Sequence, residues 1–289
     1  MIIIDLNQIL LSNMFQQNAM HGDVNEDMLR HMALNSIRSY RKKFKSDYGE
    51  IVIACDDKHY WRKSVFPYYK ANRKKSRDES TLDWNVIFAS LNKIRDELKE
   101  YFPYRVIQVD GAEADDVIAA LVFEYGWNIG QRILIISGDK DFIQLHNHPA
   151  VDQYAPIQKK WIRHNDPEAY IREHILKGDS GDGVPNVLSP DDCLVLGTRQ
   201  KTMSEPRLKA LLAGDYSGEV LQKVMTQELI ERNVARNKQL IDMNEIPQHI
   251  RDEIVNSYNE QANKPKKDLF TYFVKFKLKN LTEAIGDFV

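Results

Sequence analysis

Apolar residues follow two rhythms along this chain. In the first half they form short continuous runs at residues 2–6 (IIIDL), 50–55 (EIVIAC), 104–109 (YRVIQV) and 132–137 (RILIIS), with a further candidate at 150–154. Runs of this length read as strands buried on both faces. Between them the period turns helical. Residues 26–44 place Met28, Met32, Ile37, Tyr40 and Phe44 near one face, with Asn25 as N-cap. Residues 83–100 repeat Ile87, Leu91, Ile94 and Leu98 at helical spacing, 112–125 read as another helix, and a short one starts near Asp139. Beyond about residue 165 the pattern is mainly helical, interrupted by a Gly-rich break at 178–183. No internal repeat or low-complexity tract is visible.

Strand–helix alternation predicts an α/β fold with a mainly parallel central sheet flanked by helices over residues 1–165, followed by a helical part over 166–289. In such sheets ligands bind outside the carboxyl ends of the strands. Asp5 ends the first strand and Asp56 follows the second. Glu113 and Asp115 come after the third, and Asp139 and Asp141 after the fourth. Carboxylates from separate strands are thereby expected on one edge of the sheet.

Composition narrows the class. The chain has 289 residues, 43% hydrophobic and 28% charged, ordinary for a globular protein. No apolar run approaches the ~18 residues of a membrane span, and no secretory signal is visible at the start. The two cysteines, Cys55 and Cys193, make no disulfide framework, which points to a reducing, cytoplasmic location. Net charge is −2, so a polyanion partner must be argued from charge distribution. Residues 58–77 carry eight basic side chains and no acid, interleaved with Tyr60, Trp61, Phe66, Tyr68 and Tyr69. Those aromatics either stack on bases or carry a packed helix face. The polar run 72–80 reads as a mobile loop. A second basic segment, 264–279, has six lysines against Asp268.

Each acidic motif also suits an ordinary structural role. Asp5 suits a turn or cap, Glu113-Ala-Asp115-Asp116 suits the first turn of a helix, Asp139-Lys-Asp141 suits an N-cap, and 178–183 suits a Gly-rich turn. Their joint occurrence after consecutive predicted strands is what independent caps do not account for. Carboxylates crowded at one edge repel unless cations lie among them, and oxygen-only donors suit hard divalent ions. The histidines are scattered and the cysteines far apart, so zinc is not indicated.

The ordered set Asp5, Asp56, YWRKSVFPYYKANRKK, EADD, SGDKDF and KGDSGDGVPN resembles the flap endonuclease, or 5′-nuclease, superfamily, and within it the branch formed by the ribonucleases H of T-even-type bacteriophages. The likeness runs almost end to end. It implies a PIN-like catalytic core, an arch or bridge at about 64–82, and a helix–three-turn–helix element in the helical second part. It implies two Mg²⁺ ions, replaceable by Mn²⁺, the first among Asp5, Asp56, Glu113, Asp115 and Asp139, the second at Asp141, Asp179 and Asp182, partly through water. Asp116 would stand behind them. Lys70 and Arg73 would hold the scissile and 5′-end phosphates, supported by Arg62, Tyr69, Lys74 and Lys75, while Gly181 and Gly183 would let backbone N–H groups approach duplex phosphates. Asp115 and Asp141, with Lys70 and Arg73, would carry catalysis. The implied substrates are RNA–DNA hybrid, duplex DNA and 5′-flap DNA during phage replication, giving 5′-phosphates. A single-strand-binding replication protein is the implied partner, and a monomer the implied state.

The sequence departs from the cellular relatives at 186–199, where a segment containing Pro190, Asp191 and Asp192 intervenes before the next element. Rival readings account for less. A Toprim-type nuclease uses only Glu113, Asp139 and Asp141, a single-strand ribonuclease on a PIN sheet needs neither arch nor second half, and a non-catalytic nucleic-acid-binding protein would lack some acids.

Overall fold

We describe the protein from a computed structural model covering residues 1–21, 25–262 and 264–289. The apolar runs form strands close to where their pattern puts them. They are β1 (Ile2–Asp5), β2 (Ile51–Ala54), β3 (Arg105–Ile107), β4 (Ile133–Ile136) and β5 (Val151–Ala155). All pair in parallel, in a six-stranded sheet of order β3-β2-β1-β4-β5-β6. The last strand, β6 (Lys160–Ile162), pairs antiparallel with β5 and has no counterpart in the apolar pattern, because it is three residues long and largely exposed. Every residue of β1, β2 and β4 is buried, as a sheet covered on both faces requires.

Helix Glu26–Tyr48 starts at Asn25, whose side chain accepts from the Met28 N–H. Its buried face runs through Leu29, Ala33, Leu34, Ile37, Phe44 and Tyr48; Met28, Met32 and Tyr40, expected there, are only half-buried. Helix Trp84–Tyr101 buries Ile87, Leu91, Ile94 and Leu98 as expected and is capped by Asp83. Helix Ala114–Leu121 continues into a wider π turn, Val122–Asn128. Helix Leu6–His21 has no counterpart in the predicted elements. It buries Leu6, Ile9, Leu10 and Met14, while Leu11 and Phe15 lie off that face and blur the helical period. Among the described residues no helix is long and apolar enough to cross a membrane.

The compact units of the structure cut across the division expected near residue 165. One unit comprises Met1–Lys58, Asp83–Arg163 and Gln248–Val289, and the other His59–Leu82 and His164–Pro247. In the first, helix Gln248–Glu260 packs on β3 and on helix Ala114–Leu121. There Gln261 exchanges hydrogen bonds with both the N–H and the C=O of Val106, each at 3.0 Å. In the second, the basic segment 59–82 joins the helical part. Phe66 and Tyr69 enter a core with Ile175, Val184, Leu240 and Ile241. A neighbouring core gathers Leu176, Val187, Leu188, Leu211, Leu221 and Ile230. Residues 72–80, expected as a loop, contain helix Asn72–Asp78. Its long unbranched basic side chains lose little rotamer freedom in a helix, and no Gly or Pro interrupts them.

Candidate functional site

The order of the strands reverses at β1, which lies between β2 and β4. Register aligns their ends: Asp5 pairs with Ala54, Ala54 with Ile107, and Ile4 with Ile136. The turns bearing Asp5, Asp56, Glu113, Asp115, Asp139 and Asp141 therefore leave from one edge, around the point where doubly wound sheets bind ligands.

Most of these acids are held from within the same unit. Asp5 is 7% exposed, and its Oδ1 accepts from the Gln8 N–H at 3.0 Å. Asp56 accepts from Asn7 Nδ2 at 2.6 Å and from the Ala114 N–H at 2.7 Å, tying the turn after β2 to the turn after β3. Glu113 is 1% exposed and caps helix Ala114–Leu121 in a reciprocal box with Asp116, whose Oδ2 accepts the Glu113 N–H at 2.9 Å. Asp116 is fully buried in this role. Asp139 caps the 3₁₀ helix Lys140–Asn147 by accepting from the Asp141 N–H at 3.0 Å. Capping roles thus hold literally for Glu113, Asp116 and Asp139, alongside their convergence on the edge. Asp115, Asp139 and Asp141 are half-buried. The donor set is all carboxylate oxygen, with two members buried, which fits a hard divalent ion. The sequence pattern does not single out the neutral side chains that brace the acids: Asn7, Gln8 and the buried Gln153, which donates to the Ser137 carbonyl at 3.0 Å. For Asn7 and Gln8 the one signal is a pair of successive amides just past the acid that ends β1.

In the other unit the basic residues are built around Asp182. Its Oδ1 accepts from Arg73, its Oδ2 accepts from the Tyr69 hydroxyl at 2.8 Å, and Lys70 Nζ lies 3.5 Å from Oδ2. The Asp182 carbonyl accepts the Lys70 N–H at 2.7 Å and holds Lys70 at φ 56°, unusual for a residue with a side chain. Burial pushes the Asp182 carboxyl up, but Lys70, Arg73, the Tyr69 hydroxyl and Arg62 outweigh it and hold it below the ordinary aspartate value.

Four residues expected at the nucleic acid are engaged within the protein itself. Arg62 is 4% exposed and donates Nε to the Leu240 carbonyl at 2.8 Å, and Tyr69 is 2% exposed. Both lie against the loop that carries Lys70. Gly181 and Gly183 do not present free backbone donors either. The Gly181 and Asp182 N–H groups go to Asp179 Oδ1 at 2.7 and 3.2 Å, and the Gly183 N–H goes to the Ser180 carbonyl. Gly183 serves packing instead: at φ 74°, an added Cβ would lie 2.9 Å from the Tyr68 carbonyl oxygen. Arg73, Lys74 and Lys75 are exposed, as a phosphate contact requires. The segment 186–199 contains the short helix Cys193–Leu196. The Asn186 N–H donates to Gln200 Oε1 at 2.7 Å and its Nδ2 donates to the Lys201 carbonyl at 2.9 Å, while Asp191 pairs with Arg232 at 2.7 Å and with Arg236.

A doubly wound sheet with acids at its switch point, and a basic segment folded onto helices, suit an enzyme that binds cations and a polyanionic substrate. The family model described as "5'-3' exonuclease, N-terminal resolvase-like domain" matches residues 1–174, and the one described as "T4 RNase H, C terminal" matches 165–288. The chain belongs to the 5′-3′ exonuclease family and is a nuclease. Its individual likeness is to the Ribonuclease H of Enterobacteria phage T4, 40% identical over 292 residues that span 99% of this chain and 95% of that protein. Flap endonuclease Xni of Shewanella sp. strain MR-4 is 31% identical over 146 residues, 47% of this chain and 52% of that protein. Among solved structures, the fold is shared with a variant of the bacteriophage T5 D15 flap endonuclease in a pseudo-enzyme-product complex with DNA and metal ions. The TM-score is 0.63 at 18% identity, covering 91% of this chain and 99% of that one.

Proposed function

We propose that this nuclease works from the 5′ end on paired nucleic acid, removing RNA from RNA–DNA hybrids and the adjoining DNA, and cutting 5′ flaps, in phage DNA replication. The observation that carries this is the acidic edge around β1 in a chain of the 5′-3′ exonuclease family. Asp5, Asp56, Glu113, Asp115, Asp139 and Asp141 would hold two Mg²⁺ ions, with Mn²⁺ able to substitute. A bound divalent ion polarises phosphoryl oxygens and lowers the pKa of water toward neutrality. The chain's own part is to hold carboxylates in a fixed, partly buried array, so that little reorganisation accompanies charge development.

Lys70 and Arg73 bind and orient the phosphates of the 5′ strand, and Lys74 and Lys75 extend the positive field along it. Asp182 has both carboxylate oxygens engaged by Arg73, Tyr69 and Lys70. It is therefore assigned to anchoring those groups, and Asp179 to shaping the same loop. Products carry a 5′-phosphate and a 3′-hydroxyl. A single-strand-binding replication protein as partner, a monomeric state and a cytoplasmic site of action belong to the same proposal.

The test is cleavage of a 5′-labelled RNA–DNA hybrid and of a 5′-flap substrate, with Mg²⁺ and with chelator. Both substrates are expected to be cut with Mg²⁺ and spared without it. Asp141→Asn is expected to keep duplex affinity while its rate falls more than about a hundredfold. Equal turnover by this variant at saturating Mg²⁺, or full cleavage in chelator, would refute the reading.

A further inference from the structure

Helix Leu6–His21 begins where β1 ends, at the reversal of strand order, and its first turn carries two amides that the mechanism above leaves unused. Asn7 Nδ2 donates to Asp56 Oδ2 at 2.6 Å. The main-chain N–H of Gln8 donates to Asp5 Oδ1 at 3.0 Å. Gln8 Oε1 accepts from Ser137 Oγ at 2.9 Å and from the Gly138 N–H at 2.7 Å. Ser137 Oγ in turn accepts the Asp139 N–H at 3.1 Å. Two successive residues thus touch the turns after β1, β2 and β4, which carry Asp5, Asp56 and Asp139.

Chemistry fixes the polarity of both amides. The Gly138 N–H can only donate, so the Gln8 atom facing it is the oxygen. An ionised Asp56 can only accept, so the Asn7 atom facing it is the nitrogen. Neutral partners matter at this place. A lysine or arginine would hold Asp56 equally well, but its charge would satisfy the carboxylate and compete with a cation. An amide orients the carboxylate and leaves its charge available. Hydrogen bonds of this kind, one step behind the ligands, set ligand direction at metal sites.

We propose that Asn7 and Gln8 are positioning residues that together fix the spacing of Asp5, Asp56 and Asp139 for divalent ions. The inference rests on the metal-dependent reading above. Asn7 aims Asp56 directly. Gln8 acts twice, through its backbone on Asp5 and through its side chain on the Ser137–Gly138 turn that delivers Asp139.

The test is calorimetric Mn²⁺ binding without substrate, on the full chain, for the wild type and for Asn7→Leu, Gln8→Met and Gln8→Glu. Asn7→Leu and Gln8→Met are expected to weaken Mn²⁺ binding about tenfold. The Mg²⁺ concentration for half-maximal cleavage should shift by a similar factor, while duplex affinity in chelator is unchanged. Gln8→Glu keeps an acceptor toward the Gly138 N–H and adds a negative charge, and is expected to bind Mn²⁺ no more weakly than the wild type. Wild-type affinity in both Asn7→Leu and Gln8→Met overturns the proposal, and so does equal loss in Gln8→Met and Gln8→Glu. If Gln8→Met does not fold, Asn7→Leu alone decides. Failure of the wild type to bind Mn²⁺ would instead sink the metal-dependent reading and the clamp with it. Wild-type binding with unaffected variants sinks the clamp alone.

Discussion

Asp182 sits where burial and neighbouring charge pull in opposite directions. Burial raises its carboxyl, and the Lys70, Arg73 and Tyr69 groups around it bring the net value below that of an ordinary aspartate. A depressed folded-state pKa contributes stability above the unfolded value of about 3.9, and this contribution is lost as pH falls through the folded value. Asp182→Asn is therefore expected to cost about 2 kcal/mol at pH 7 and progressively less toward pH 3. Urea denaturation at both pH values, in chelator, checks this; a gap independent of pH would show that the charge is not the cause. The identity of the acids at the candidate site was legible because they recur after successive apolar runs. The roles of Arg62, Tyr69 and Gly183 were not. A basic, aromatic or glycine residue in a loop reads the same whether it faces a ligand or a core, and these three face the interior.

Among the elements, the loop 178–183 is set by backbone constraints more than by side chains. Gly178 closes helix Pro167–Lys177 at φ 69°, and an added Cβ would lie 2.5 Å from the carbonyl oxygens of both Val184 and Pro185. Neither obstacle is a flexible side chain, so Gly178→Ala is expected to cost more than about 3 kcal/mol, from a left-handed φ and a clash with backbone together. Thermal denaturation measures it, and a loss under about 1 kcal/mol would mean the loop adjusts easily. The five parallel strands were readable to within a residue or two, since short continuous apolar runs of this length bounded by polar residues suit strands covered on both faces. Helix Leu6–His21 was not, because Leu11 and Phe15 lie off its buried face and blur the period. Nor was helix Asn72–Asp78, whose residues are polar all round and carry no period.

Across the whole molecule, linear order and compactness part ways. Each unit is assembled from segments far apart in sequence, and only packing reveals which belong together. A buried network shows how the last segment is secured within its unit. Arg30, with no exposed surface, pairs with Glu97 at 2.7 Å, Glu97 accepts from the Tyr272 hydroxyl at 2.8 Å, and the Arg30 guanidinium lies 4.0 Å from the Phe276 ring centre. Arg30 also pairs with Glu26 and Asp27, so Glu97→Gln removes its buried partner but leaves the charge two others, and is expected to destabilise by about 2 kcal/mol. Chemical denaturation checks the size, and turnover per folded molecule should be unchanged.

The sheet has a further weak point at β3, its outermost parallel strand. An open border of main-chain donors and acceptors invites a foreign strand to add itself. Gln261 stands in for that strand, one amide imitating a peptide unit against Val106. The main-chain donor and acceptor of Val106 on this edge strand are thereby satisfied from within the chain instead of lying open to a foreign strand.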